Sequence, residues 1–305
     1  MYVKQHGYLS IFTGNNINYP FWTKGSGSLM LYGYYLFLST VPSEKRFKIV
    51  SSVYLLLIFL SSLKGQRALF LLSLLLVLTF YYLFYNKKIS VRVISFLGIS
   101  IMLFSQFIRS IRVENAQFVE NNIIFEFMRQ QGVSFLIPGL LIENSILLNR
   151  EGVPYLFAPL IDSLNAIRYP EVFSKGQTEE LLDISNYLGY ELMYFLYPDG
   201  YLKGWGVGSN YLAELIGFGG ITAVIVFHLL LFPVISKIVK LMSVRRIYIV
   251  IFIPILISLY YMPRSSLLGF KLEPLKIILI YLLFTFAASL FSKVKNRDRK
   301  NKQSW

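Results

Sequence analysis

The stretch 204–220, GWGVGSNYLAELIGFGG, decides how the chain is read, because a long polar segment meets a long apolar one inside it. Gly204, Gly206 and Gly208 leave the backbone free to make tight or left-handed turns. Ser209 and Asn210 are natural N-cap residues for a helix that follows. A helix start carries unpaired N–H groups and a partial positive charge, which suits an anion such as phosphate. Gly208, Ser209 and Asn210 are therefore candidate anion-binding residues. Glu214 falls about one turn inside this helix, where the surroundings are already lipid or protein. A carboxylate at that depth is costly unless paired, so Glu214 is either functional or held by an arginine that ties helices together.

The 305 residues on either side are 55% hydrophobic and only 15% charged, where a soluble domain carries about 25% charge. The apolar residues come in long blocks rather than in amphipathic alternation, the mark of membrane helices. The expected fold is all-α, a polytopic integral membrane protein. Seven spans are predicted, at roughly 28–42, 47–63, 68–85, 90–108, 209–235, 246–262 and 274–292, the first of them short for a crossing. Gly217, Gly219 and Gly220 interrupt the fifth, which ends near Pro233; glycines there permit close packing or a local break. There is no cysteine, so nothing depends on disulfides or thiolate metal sites.

The net charge of +14 has the size of a nucleic-acid signal, but its placement gives it another meaning. With seven spans, the clusters 45–48, 87–92, 237–246 and 293–302 share one side, and that side, with Glu44 and Asp298, holds sixteen of the 30 Lys and Arg and two of the 16 Asp and Glu. The charges on the other side cancel, so the whole excess is a topology signal. By the positive-inside rule the basic side and the C-terminus are cytoplasmic, and no nucleic acid is needed as a partner. The N-terminus then lies outside, as expected for the later part of a longer polytopic chain. The alternative is that the first span does not cross.

Three regions follow: 1–108 with an outer segment and four spans, 109–208 as an outer loop, and 209–305 with three spans and a basic tail. The outer loop is too apolar for a disordered linker. Segments 123–148 and 181–202 carry helix-like apolar stripes with breaks expected at Pro138 and Pro198, which reads as a helical lid on or partly in the outer leaflet.

Four arginines lie near outer span ends: Arg67 in SLKGQRALF, Arg109 and Arg112 in QFIRSIRVEN, and Arg264 in YYMPRSSLLG. Arg109 and Arg112, three apart, share a helix face. The planar guanidinium fork matches phosphate and carboxylate oxygens. Single loop arginines often only anchor a chain at the interface, but four beside a glycine-rich helix start suggest a shared anionic ligand. Arg129, with Gln130 and Gln131, is a second donor cluster for sugar or phosphate, or else a solvated helix face. His228, about 21 Å from Glu214 along a continuous helix, is read as a packing residue, and His6 is isolated. No Walker loop, HExxH or other metal-ligand spacing occurs, so neither a nucleotide nor a metal cofactor is expected.

The order GQR (65–67), FEFMRQQGVSF (125–135), GWGVGSNYLAE (204–214) and MPRSS (262–266) resembles the Wzy-type O-antigen polysaccharide polymerases over roughly residues 2–290. Family members are typically longer, with extra spans at the start. The resemblance implies a metal-independent glycosyltransferase of GT-C-like helical architecture in the bacterial inner membrane, with 109–208 periplasmic. Its substrate would be oligosaccharide repeat units on undecaprenyl diphosphate, and its partners a chain-length-regulating co-polymerase and a flippase. It further implies catalytic roles for Glu214, Arg109 and Arg264, and substrate contacts for Arg67, Arg112, Arg129, Gly208, Ser209 and Asn210. The rival readings are a transporter or lipid flippase, an O-antigen ligase, and a non-enzymatic assembly subunit.

Overall fold

In EKRFKIVSSVYLLLIFLSS (44–62) the buried positions are Phe47, Ser51, Tyr54, Ile58 and Ser62, spaced by three and four so that they share one helix face. The opposite face, with Ile49, Val53, Leu56, Leu57 and Leu60, is exposed and at least as apolar. A helix on a soluble protein would put polar residues there, so this face is built for lipid. The same holds for Ile221, Ile225, Leu229 and Phe232 later in the chain.

The computed structural model describes residues 21–62, 67–85, 90–112, 123–143, 153–286 and 289. Its regular elements are all helical. The first five are α1 (Phe21–Ser39), α2 (Glu44–Ser62), α3 (Arg67–Tyr85), α4 (Val91–Arg112) and α5 (Ile123–Glu143). A 3-10 turn, Tyr155–Phe157, leads into five short helices, α6 (Ala158–Arg168), α7 (Pro170–Ser174), α8 (Glu179–Ile184), α9 (Leu188–Leu196) and α10 (Pro198–Leu202). Then come α11 (Tyr211–Val244), α12 (Arg246–Tyr261), a 3-10 turn Met262–Arg264, and α13 over 273–286. Three described stretches, Ala68–Tyr85, Tyr211–Val244 and Arg246–Arg264, are long and apolar enough to cross a membrane.

Helices α1, α2, α3, α12 and α13 and the end of α11 share one core, which includes Leu38, Phe47, Leu76, Phe80, Ile238, Ile253 and Ile277. The Tyr34 and Tyr54 hydroxyls inside it are paired within the protein, because lipid offers no alternative partner. The Tyr34 ring stacks on Tyr54 at 3.8 Å. Their hydroxyls lie 2.8 Å from Ser51 Oγ and 3.0 Å from Ser73 Oγ, small residues that let the helices approach. At one end Tyr81 donates to Glu44 Oε1 (3.0 Å) and Tyr85 to the Pro42 carbonyl (2.6 Å). Tyr32 donates to Glu273 Oε2 (2.6 Å), which fixes α1 to the start of α13.

The segment expected as a single span over 209–235 is two limbs. Gly219 and Gly220 leave helical geometry inside α11, and Gly220 adopts φ 62°, ψ −155°, a conformation essentially reserved for glycine. Tyr211 Oη then lies 3.1 Å from His228 Nε2, and the Tyr211 ring is 5.8 Å from that of Phe227. In a straight helix seventeen residues would separate them by about 25 Å. The chain therefore doubles back, with a short limb 211–218 beside the first two turns of a long limb 221–244. The 21 Å expected between Glu214 and His228 assumed one continuous helix and does not apply.

Segment 153–208, the later part of the expected lid, is helical and internally bonded. Asp162 accepts from Ser185 Oγ (2.5 Å) and the Asn186 N–H (3.1 Å), and Asn165 Nδ2 donates to the Ile184 carbonyl (3.0 Å). Tyr201, fully buried, donates to the Thr178 carbonyl and receives the rings of Tyr190 and Tyr194 edge-on. A second core joins this segment to α5 and the short limb through Ile137 and Leu141 of α5, Tyr155, Leu188 and Leu192, and Ala213. Pro198 starts α10, a break as expected, whereas Pro138 lies inside an unbroken α5.

Candidate functional site

Pro138 has no N–H, so the carbonyl four residues earlier, that of Ser134, has no intrahelical partner. Asn210 supplies one: its Nδ2 donates to the Ser134 carbonyl at 2.9 Å and to the Pro263 carbonyl at 2.9 Å. Its Oδ1 accepts from the Leu212 N–H at 2.8 Å, the N-cap bond of the short limb. One fully buried side chain thus fastens α5, the 262–264 turn and the start of α11 to one another.

Glu214 sits one turn further on and is also fully buried. Ser209 Oγ donates to its Oε1 at 2.7 Å and the Leu267 N–H to its Oε2 at 2.9 Å. No described cation pairs with it, so the expected alternative of an arginine tie does not hold among the described residues. The carboxylate is held by neutral donors, each oxygen keeping a second lone pair. The buried Ser266 hydroxyl lies close to the same carboxylate but forms no hydrogen bond of ordinary geometry.

Arg264 is half-buried, and its Nε donates to Ser134 Oγ at 3.1 Å. Its backbone lies against Gly208, which turns with φ +78°. The lid closes on the same loop so tightly that a Cβ on Gly189 of α9 would stand 2.5 Å from the Gly208 carbonyl oxygen. Tyr187, at the entry to α9, brings its phenol close to the Ser209 backbone. Burial, with Tyr190 and the Glu214 carboxylate nearby, pushes this phenol above the ordinary tyrosine range, so it stays protonated. Since Tyr211 is level with His228, seven residues into the long limb, the start of the short limb is recessed about 10 Å from that limb's first turn.

The structure thus brings Gly208, Ser209, Asn210, Glu214 and Arg264 to one point. One of the N-terminal N–H groups expected to seat an anion is used from within, that of Leu212 by Asn210. The backbones of Arg67, Arg109 and Arg112 open α3 and close α4, and Arg129 lies on α5 about 7 Å along the axis before Ser134. The side chains of these four arginines, like His6, lie outside the described residues. Ser134, Tyr187, Ser266 and the Leu267 N–H join the site without having been singled out from the sequence. Their signal was the placement of serines in QGVSF and MPRSS, the two segments that meet there.

Outward-facing apolar helices around a recessed acid and guanidinium define a helical membrane protein with a polar site of its own. The chain belongs to the O-antigen polysaccharide polymerase Wzy family, whose sequence model matches residues 1–295. Membership makes it a polysaccharide polymerase that acts in the membrane on lipid-linked oligosaccharide repeat units. No curated protein and no solved structure matches the chain.

Proposed function

We propose that the chain joins undecaprenyl-diphosphate-linked repeat units on the periplasmic face of a bacterial inner membrane, with Glu214 and Arg264 at the reacting centre. A hydroxyl on the new repeat unit attacks the anomeric carbon of the chain held on its lipid diphosphate. The bond from that carbon to the diphosphate oxygen breaks as the new glycosidic bond forms. Glu214 takes the proton of the attacking hydroxyl, and the lipid diphosphate leaves with the electron pair. Arg264 offsets the charge growing on that diphosphate, where a recessed site strengthens the interaction. Arg67, Arg109 and Arg112, at the helix ends above, and Arg129 along α5 extend this grip. Ser209 and the Leu267 N–H orient the base, Asn210 braces it, and the lid over 109–208 holds the sugars. A GT-C-like arrangement, a co-polymerase and a flippase belong to the same reading.

The observation that carries this reading is a fully buried carboxylate, without a described cation, on the same knot as a half-buried arginine. A purely structural residue there would be cheaper as a neutral side chain. Glu214→Gln tests this, since the amide fills the same space and its oxygen can accept from Leu267 while Ser209 turns to accept. Elongation of lipid-linked oligosaccharide by the purified protein should fall by roughly 10²-fold or more, as expected for loss of a general base, with the detergent-solubilised fold intact. Arg264→Lys, which keeps the charge but loses the fork, should fall between wild type and Arg264→Ala. Full elongation by Glu214→Gln would remove the acid from the mechanism.

A further inference from the structure

Between the lid and the site, Trp205 is exposed (45%), as is Tyr197 (43%), and their rings meet at 60° with centroids 5.6 Å apart. Large apolar rings at a surface are unremarkable when mobile and single, but this pair is built. The Trp205 N–H donates to the Gly200 carbonyl (2.9 Å), and its carbonyl accepts from Gln177 Nε2 (2.9 Å). Both backbone groups of an exposed residue are thus bonded to different elements, between turns at Gly204 (φ +84°) and Gly208 (φ +78°). Tyr197 is held in turn: its N–H donates to Met193 and its carbonyl accepts from Tyr201, itself fully buried. These bonds fix the backbone that carries the two rings and so lower the ordering cost that a ligand would otherwise meet.

We propose that Tyr197 and Trp205 form a saccharide subsite, stacking a sugar ring of the growing chain a few units from the bond being made. This rests on the polymerase reading above. The two rings form an angled corner whose free faces suit the apolar face of a pyranose. Asp199 and Lys203, both exposed and joined through the Lys203 N–H to Asp199 carbonyl bond (3.2 Å), supply polar groups for hydroxyls beside it. Only four residues separate Trp205 from Ser209, at most about 14 Å of chain, and Ser209 bonds Glu214 directly. A polymer threaded from the reacting centre across the lid would cross this corner. The exposed Asp199 in the same turn argues against a lipid-inserted belt, since a carboxylate gains nothing among membrane headgroups.

The test uses full-length protein in nanodiscs, with lipid-linked repeat units extracted from cells making the corresponding polymer and the free oligosaccharide released from them by mild acid. Trp205→Ala and Tyr197→Ala should weaken binding of the free oligosaccharide about tenfold, the scale of losing an anchoring aromatic, and shorten the product chains. Trp205→Phe, which keeps a ring, should restore most of both, which separates stacking from misfolding. Unchanged oligosaccharide binding and product length in Trp205→Ala, while Glu214→Gln still abolishes elongation, would overturn the subsite and leave the polymerase reading standing. With Trp22 and Trp305 replaced by phenylalanine, quenching of Trp205 fluorescence by brominated lipid, with no response to oligosaccharide, would make the corner a membrane contact and also overturn it. Absence of elongation by the wild-type protein would instead count against the function itself.

Discussion

Asn210 is asked for three bonds at once, and its amide is the only side chain of its size that can make them. The Nδ2 group gives both protons to carbonyls while Oδ1 accepts from the helix start. Asn210→Ala leaves the buried Ser134 carbonyl, the half-buried Pro263 carbonyl and the Leu212 N–H without this partner and should destabilise the fold by roughly 2–4 kcal/mol. Asn210→Asp keeps the cap acceptor but turns an oxygen toward two carbonyl oxygens, so it should be worse than alanine although it is the usual N-cap equivalent. Thermal unfolding of the detergent-solubilised variants, followed by monodispersity, gives the order; an aspartate variant as stable as wild type would contradict the geometry. The cap itself was legible in the sequence, because Asn before an apolar run is a local signal. Its other two bonds were not, since their partners lie 76 and 53 residues away, and the first is available because Pro138, expected from the sequence to break the helix, instead frees the Ser134 carbonyl inside it.

Among the elements, α11 does what its length conceals. Glycines at 217, 219 and 220 announced a weak point, but nothing local tells a kink from a reversal. The contact that decides it, Tyr211 with His228, joins residues on either side of the break. The chain has no cysteine of its own, so a pair can be introduced cleanly. Tyr211→Cys with His228→Cys should be bridged by a short bifunctional thiol reagent, because the tips of the two native side chains meet, whereas a continuous helix would hold the positions about 25 Å apart. Adding Gly220→Ala should lower the yield several-fold, since an L-residue is disfavoured at φ 62°, ψ −155° by roughly 1–3 kcal/mol although its methyl would meet no neighbour. Cross-linking that is absent in the parent pair would restore the straight span, with Glu214 and His228 far apart. The lid is the counterpart case. Its helical character was readable from apolar stripes, but its seat on α5 and α11 through Leu188, Leu192 and Ala213 is long-range packing that periodicity does not encode.

For the whole molecule, the site is of use only if it faces the side where lipid-linked repeat units arrive. The charge pattern argues that it does. Contacts of Glu44 with Tyr81 and of Pro42 with Tyr85 gather the start of α2 and the end of α3 at one end of the bundle, beside the basic residues 45–48. Exposed Lys237 and Lys240 belong to the same basic set, at the end of the long limb away from Gly219–Gly220. The lid and the Glu214 knot occupy the other end, where acidic and basic residues balance. On the function proposed above, positive charge retained in the cytoplasm sets the lid outside. Single substitutions on the cysteine-free chain test this: Lys175→Cys in the lid, against Lys45→Cys and Lys240→Cys. Both kinds alter exposed lysines, and the 3.0 Å Lys175–Glu180 surface pair lost in the first is worth little. A membrane-impermeant thiol reagent applied to intact spheroplasts should label position 175 at once, and positions 45 and 240 only after permeabilisation. The reverse pattern would place the acid and guanidinium on the cytosolic face, and the outer-leaflet polymerase would fall while the fold, the Asn210 brace and the α11 reversal remained as they are.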